Sequence, residues 1–165
     1  MYRKAPGLVV TSFVAATAAA ALTLSAGAAH ANPLGSLDLD PPADPVETPF
    51  CSIEYPDPNQ FDRTDTSDVT VSSQEGGLVR FTFHTRSQTT APYTQAASVT
   101  WANLDSGISG VGDTSARVGA GETTLTVPVQ ETGPGRITAV ARVTNTADNG
   151  QDVTTLDCSS EYTVP

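Results

Sequence analysis

Val79, Phe81 and Phe83 alternate with Arg80, Thr82 and His84. Ala97, Val99 and Trp101 alternate with Ser98 and Thr100. Leu125, Val127 and Val129 alternate with Thr124, Thr126 and Pro128. Ile137, Ala139, Ala141 and Val143 alternate with Arg136, Thr138, Arg142 and Thr144, and Val140 alone breaks the rule. A period of two puts the apolar residues on one face of an extended chain, so each run predicts a half-buried strand. Shorter runs at Phe50–Glu54, at Val69 and Val71, and at Thr154, Leu156 and Cys158 bring the predicted strands to about seven. Turn signals stand between them: Glu75-Gly76-Gly77, Asp105-Ser106-Gly107, Gly119 to Gly121, Gly133-Pro134-Gly135 and Asp148-Asn149-Gly150. No window after the N-terminal Ala-rich run has helical periodicity. These features predict an all-β, antiparallel two-sheet sandwich. Pro128 cannot donate to a ladder, so its strand belongs at an edge or a bulge.

Residues 133–145, GPGRITAVARVTN, resemble the penultimate strand region of bacterial immunoglobulin-like domains. The resemblance is architectural, covers residues 50–165, and implies an immunoglobulin-like sandwich. The chain departs from the antibody pattern in that Trp101 stands midway between Cys51 and Cys158. A disulfide between them is therefore expected to join the first and last strands.

The start of the chain sets the compartment. Tyr2-Arg3-Lys4 is a short cationic opening, Leu8 to Leu24 is an apolar run, and Ala29-His30-Ala31 is a small-x-small cleavage pattern. Residues 1–31 thus read as a cleaved signal peptide, and the expected location is extracellular or in the cell envelope. No other apolar run is long enough to span a bilayer, so the mature chain is expected to have no transmembrane segment. Residues 32–49 are rich in proline and acid and are expected to form a disordered spacer before the sandwich at 50–165. Cleavage removes Arg3 and Lys4 and no acid, leaving a strongly acidic mature chain whose cations are all arginine. Nucleic acid is not an expected partner, because phosphate contact needs clustered cations. In an oxidising compartment, Cys51 and Cys158 read as one disulfide. There is no CxxC and His84 is the only mature histidine, which leaves no zinc or redox set. No cofactor is expected.

Candidate chemistry is sparse. Arg80, Thr82, His84 and Arg86 share one face of one predicted strand, and Arg136 and Arg142 would extend a local basic patch if they lay on the same sheet. Tyr93, in the predicted loop 87–95, is a candidate exposed aromatic. Together these five, Arg80, Thr82, His84, Arg86 and Tyr93, form the candidate binding surface. Residues 57–68, DPNQFDRTDTSD, place Asp57, Asn59, Asp65 and Asp68 near the spacing of a calcium loop, with Phe61 at a ligand position and Asp62 where the turn glycine belongs. No nucleophile elbow is present, and no catalytic residue is assigned. The expected function is a non-enzymatic binding or structural module with an extracellular or envelope partner. One alternative is a small-ligand carrier similar to secreted antibiotic-binding sandwich proteins, which the acidic Ala/Thr/Gly/Val composition resembles. A second is a secreted hydrolase using His84 or Glu122.

Overall fold

A computed structural model describes residues 45–155 and 157–165. The expected signal peptide and most of the expected spacer lie outside the described residues. The described chain is all-β, with ten strands: β1 (Thr48–Asp57), β2 (Gln60–Gln74), β3 (Leu78–Ser87), β4 (Tyr93–Asn103), β5 (Ser109–Val118), β6 (Gly121–Thr126), β7 (Gln130–Glu131), β8 (Gly135–Ala147), β9 (Asp152–Thr154) and β10 (Cys158–Val164). They form two antiparallel sheets that pack face to face. One has the order β1-β2-β3-β6, with β7 also on β3; the other has the order β10-β8-β4-β5, with β9 on β8.

The alternation seen in the sequence becomes the inner faces. Val79, Phe81 and Phe83 of β3 meet Val99 and Trp101 of β4 and Ile137, Ala139 and Ala141 of β8, all buried in one core. Phe50 and Phe81 meet edge to face, with centroids 5.7 Å apart. Pro128 falls between β6 and β7. Both strands pair with β3, and the register shifts by one residue across the proline. The ladder is thus broken at a sheet edge, where a missing donor costs least.

β5 has no apolar alternation, and the pattern did not predict it. Its inward positions include Gly110 and Gly112, because side chains from elsewhere fill that space. A Cβ on Gly110 would lie 2.7 Å from the Trp101 ring, and one on Gly112 would lie 2.5 Å from Val127 Cγ1. Trp101 closes this corner by donating from Nε1 to Gln130 Oε1 at 3.1 Å.

The stretch expected to be an acidic loop, residues 57–68, is instead the hairpin of β1 and β2. Only Pro58 and Asn59 form its turn. The first strand also begins ahead of the expected Phe50, at Thr48.

Cys51 and Cys158 form the expected disulfide, across 107 positions of sequence. It joins β1, an edge of one sheet, to β10, an edge of the other. First and last strands of the described fold are thereby fastened on one open side of the sandwich.

Candidate functional site

Three strands build the outer face of the first sheet. β3 supplies Arg80, Thr82, His84 and Arg86 at alternate positions. In register, β2 presents Ser72, Thr70, Asp68 and Thr66 on one side of them, and β6 presents Thr126, Thr124 and Glu122 on the other. Being central, β3 is crowded by both neighbours, so Thr82 is buried even though it points outward.

Arg86 and His84 on this face meet acids. Arg86 donates to Asp68, its diagonal neighbour on β2. His84 stands between two carboxylates: Nε2 is 2.9 Å from Glu47 Oε2, and Nδ1 is 3.8 Å from Glu122 Oε1. Thr70 Oγ1 donates to the same Glu47 oxygen at 2.8 Å. Hydrogen bonds from Thr70 and then from His84 hold the Glu47 carboxyl below its ordinary range. A concavity of about 480 Å³ opens beside this cluster, lined by Thr64, Thr66, Arg86, Gln88, Gly121 and Glu122 among others.

Two parts of the expected surface lie elsewhere. Arg136 and Arg142 are on β8, in the other sheet, so they do not extend a basic patch around Arg86. Arg142 pairs with Asp157 at 2.7 Å, and Arg136 lies 3.8 Å from Glu161. Tyr93 is not an exposed loop aromatic. It is the first residue of β4 and is fully buried.

The calcium candidates are dispersed in the same way. Asp65 faces inward and Asp68 outward on β2, as an odd spacing on a strand requires. Asp57 Oδ1 accepts from the Asn59 backbone at 2.7 Å, and Asn59 Nδ2 donates to the Ala91 carbonyl. The EF-hand-like set of four therefore does not converge. Among the described residues, no three acidic, histidine or cysteine side chains gather as a metal site.

A buried polar network, which apolar alternation does not announce, stands at this end of the sandwich. Gln95 Nε2 donates to Tyr55 Oη at 2.7 Å and to Asn145 Oδ1 at 2.9 Å, and Gln95 Oε1 accepts from Thr85 Oγ1 at 2.6 Å. Ser67 Oγ lies 2.7 Å from Thr85 Oγ1 and 3.1 Å from Tyr55 Oη. Tyr93 Oη donates to Asp65 Oδ2 at 2.9 Å. The only signal was polar residues at positions in phase with the apolar ones: Ser67 with Val69, Thr85 with Phe83, Gln95 with Ala97, and Asn145 with Val143.

Burial, then the neighbouring Tyr55 and Asp65, push the Tyr93 phenol far above its ordinary range. The folded state therefore keeps a proton that an unfolded tyrosine releases near pH 10, a value of about 10 being ordinary. This contribution is intact below that pH and is lost as pH rises above it. The expected result is base unfolding above about pH 10, with tyrosinate absorbance and loss of circular dichroism in one step. Independent tyrosinate formation in a still-folded protein would contradict the sealed phenol.

No family model matches the chain, and no curated protein or solved structure is significantly similar to it.

Proposed function

We propose that this protein is an exported, non-enzymatic sandwich module of the immunoglobulin-like class that binds an extracellular or envelope partner through the outer face of the β1-β2-β3-β6 sheet. One observation carries the proposal. The interior at this end is occupied by the Gln95 network, whereas His84, Arg86, Glu47 and Glu122 stand together on an open face beside a concavity. With Arg86 and His84 held by acids, such a face suits a partner that offers both donors and acceptors better than it suits a polyanion.

Strand order supports the class. The sheet β10-β8-β4-β5 has the order G-F-C-C′, and β2-β3-β6 has the order A-B-E, with β1 added ahead of the pattern. Export is supported by the disulfide, by the leader pattern of residues 1–31, and by the lack of any membrane-spanning helix among the described residues. A carrier of the between-sheets kind draws no support, because Phe81, Phe83, Val99 and Trp101 fill one half of the interior and the Gln95 network fills the other.

A hydrolase has one observation in its favour. Thr70 Oγ1 lies 3.4 Å from His84 Nε2, and Glu122 lies on the far side of the ring. That is the order hydroxyl, imidazole, carboxylate. However, Thr70 gives its proton to Glu47, and Glu47 also occupies Nε2, so no base is free to activate the hydroxyl.

Two measurements test the proposal. Immobilised mature protein should retain a partner from culture supernatant or envelope fractions, and Arg86→Ala with Glu122→Ala should abolish retention while Arg142→Ala on the other sheet preserves it. Equal retention by all variants would remove the face from consideration. In an ester and glycoside screen, turnover by wild type that His84→Ala and Glu122→Gln abolish would instead establish the hydrolase.

A further inference from the structure

β5 runs along an edge of its sheet, and it is the edge that the described fold leaves open. Natural sheets guard their edges with proline, bulges, short strands or lysine, because unpaired amides and carbonyls there accept another strand. The other edges among the described residues are guarded in this way. β1 carries Pro49 and Pro56, with a register shift beside each. β6 is six residues long, and Pro128 breaks the ladder between it and β7. The edge along β8 is divided between β10 and β9, which is three residues long. Cys158 also ties β10 to β1.

β5 has none of these devices. Its ten residues, SGVGDTSARV, contain no proline and no lysine. Its register with β4 is unbroken from Tyr93 opposite Val118 to Ala102 opposite Ser109. It pairs with β4 alone, so alternate residues direct their backbone N–H and C=O away from the sheet. Gln130 comes up against Gly112, yet its amide bonds to Trp101 and to the Pro128 carbonyl and leaves the β5 backbone unbonded. A strand of this length offers a free edge of about 30 Å.

The side chains say which strand fits. Ser109, Val111, Asp113, Ser115 and Arg117 are exposed at alternate positions. Asp113 takes part in no salt bridge of the described residues. Arg117 bonds to Asp148, Thr94 and the Pro92 carbonyl, always from its two terminal nitrogens, which leaves its Nε–H. Asp113 and Arg117 stand two residues either side of Ser115. In an antiparallel, two-fold pair centred on Ser115, Asp113 of each copy lies opposite Arg117 of the other, and the match occurs twice. Residues 112–118 then pair along the seam, and Val111, 64% exposed, meets Gly119. A seam centred on Asp113 would set that carboxylate against itself.

We propose that two copies of this chain pair β5 to β5, antiparallel about Ser115, and join their β10-β8-β4-β5 sheets into one continuous sheet. The seam is narrow, so the dimer is reversible. The outer face of the other sheet takes no part in it. The inference therefore stands apart from the binding role, and the dimer presents that face twice.

The test uses mature, disulfide-bonded protein. Sedimentation velocity across roughly 5–500 μM should show a reversible monomer–dimer equilibrium. Ser115→Asp sets two carboxylates together on the axis, and Asp113→Arg sets arginine against Arg117. Each should weaken the dimer several-fold, and both positions are exposed, so the monomer should stay folded. Adding Arg117→Glu to Asp113→Arg restores opposite charges and should restore the dimer. Register is read by oxidation of single-cysteine variants. Ser115→Cys should give a disulfide-linked dimer, whereas Val111→Cys should not, because the two positions lie eight residues apart across the axis, roughly 27 Å. The pairing is overturned by a wild type that stays monomeric throughout, by a dimer that either single charge variant retains at full strength, by a charge swap that stays monomeric, or by linkage at Val111 in place of Ser115.

Discussion

Replacing Cys51 and Cys158 together with alanine should lower the unfolding free energy by about 3–5 kcal/mol, and the melting temperature by roughly 15 °C. The bond closes a loop of 107 positions, and the chain-entropy cost of closing a loop of about 100 residues is about 4.7 kcal/mol in the unfolded state. The native geometry adds a second reason. β1 hydrogen-bonds only to β2, so it is an edge strand that can peel away. Its tie to the other sheet runs through Cys51, whose neighbours Phe50 and Ile53 reach the core. In the reduced protein, β1 amides should therefore exchange faster than those of β3, which lies between two strands. Denaturant unfolding of wild type and the double variant measures the first effect, and hydrogen exchange measures the second. A loss below 1 kcal/mol would show that the staple is incidental to the fold. Both cysteines must be replaced, because a single substitution leaves a thiol free to link molecules.

The bond was legible because an even cysteine count and the oxidising compartment expected from the leader pattern both point to it, and neither requires knowing the fold. The core strands were legible because their apolar residues alternate, with Val140 the one exception: β3, β4 and β8 carry much of the pattern on which the two-sheet prediction rests. β5 was not legible, since Gly110 and Gly112 leave room for Trp101 and Val127, and a strand defined by what packs into it carries no apolar signature of its own. The hairpin of β1 and β2 was hidden for another reason. Its inward positions near the turn are Asp57, Asp65 and Ser67, and inward polar residues mimic a loop when only hydropathy is read. Tyr93 was misplaced by the same effect, because the β3–β4 connection is shorter than the polar stretch Ser87 to Gln95 suggests. On the candidate face, the shared side of Arg80, Thr82, His84 and Arg86 follows from strand period alone. The pairing of His84 and Arg86 with acids does not, because Asp68, Glu47 and Glu122 come from three other segments whose register only the folded sheet sets.

Gln95→Ala should cost about 3–5 kcal/mol, as much as the disulfide, although it removes no charge and no apolar side chain. Gln95 is inaccessible and bonds to Tyr55, Asn145 and Thr85 at once. Truncation leaves a cavity, and it also leaves Asn145 Oδ1 without its partner and the Thr85 hydroxyl with Ser67 alone. Each buried group so orphaned costs about 1–3 kcal/mol. Gln95→Leu separates the two contributions. It restores much of the volume but none of the hydrogen bonds, so it should still lose about 2–4 kcal/mol. Stability at the wild-type level in Gln95→Leu would mean that the network selects the register without stabilising it. The functional consequence runs through β3. Thr85, held by Gln95 on the inner face, lies between His84 and Arg86 on the outer face, so the buried bond fixes the two candidate binding residues from below. Thr85→Val keeps the shape of that residue and removes the bond. It should leave the protein folded with weaker partner retention, whereas Thr82→Val on the outer face should spare the Gln95 network. A Thr85→Val protein with undiminished retention would separate the core network from the binding face.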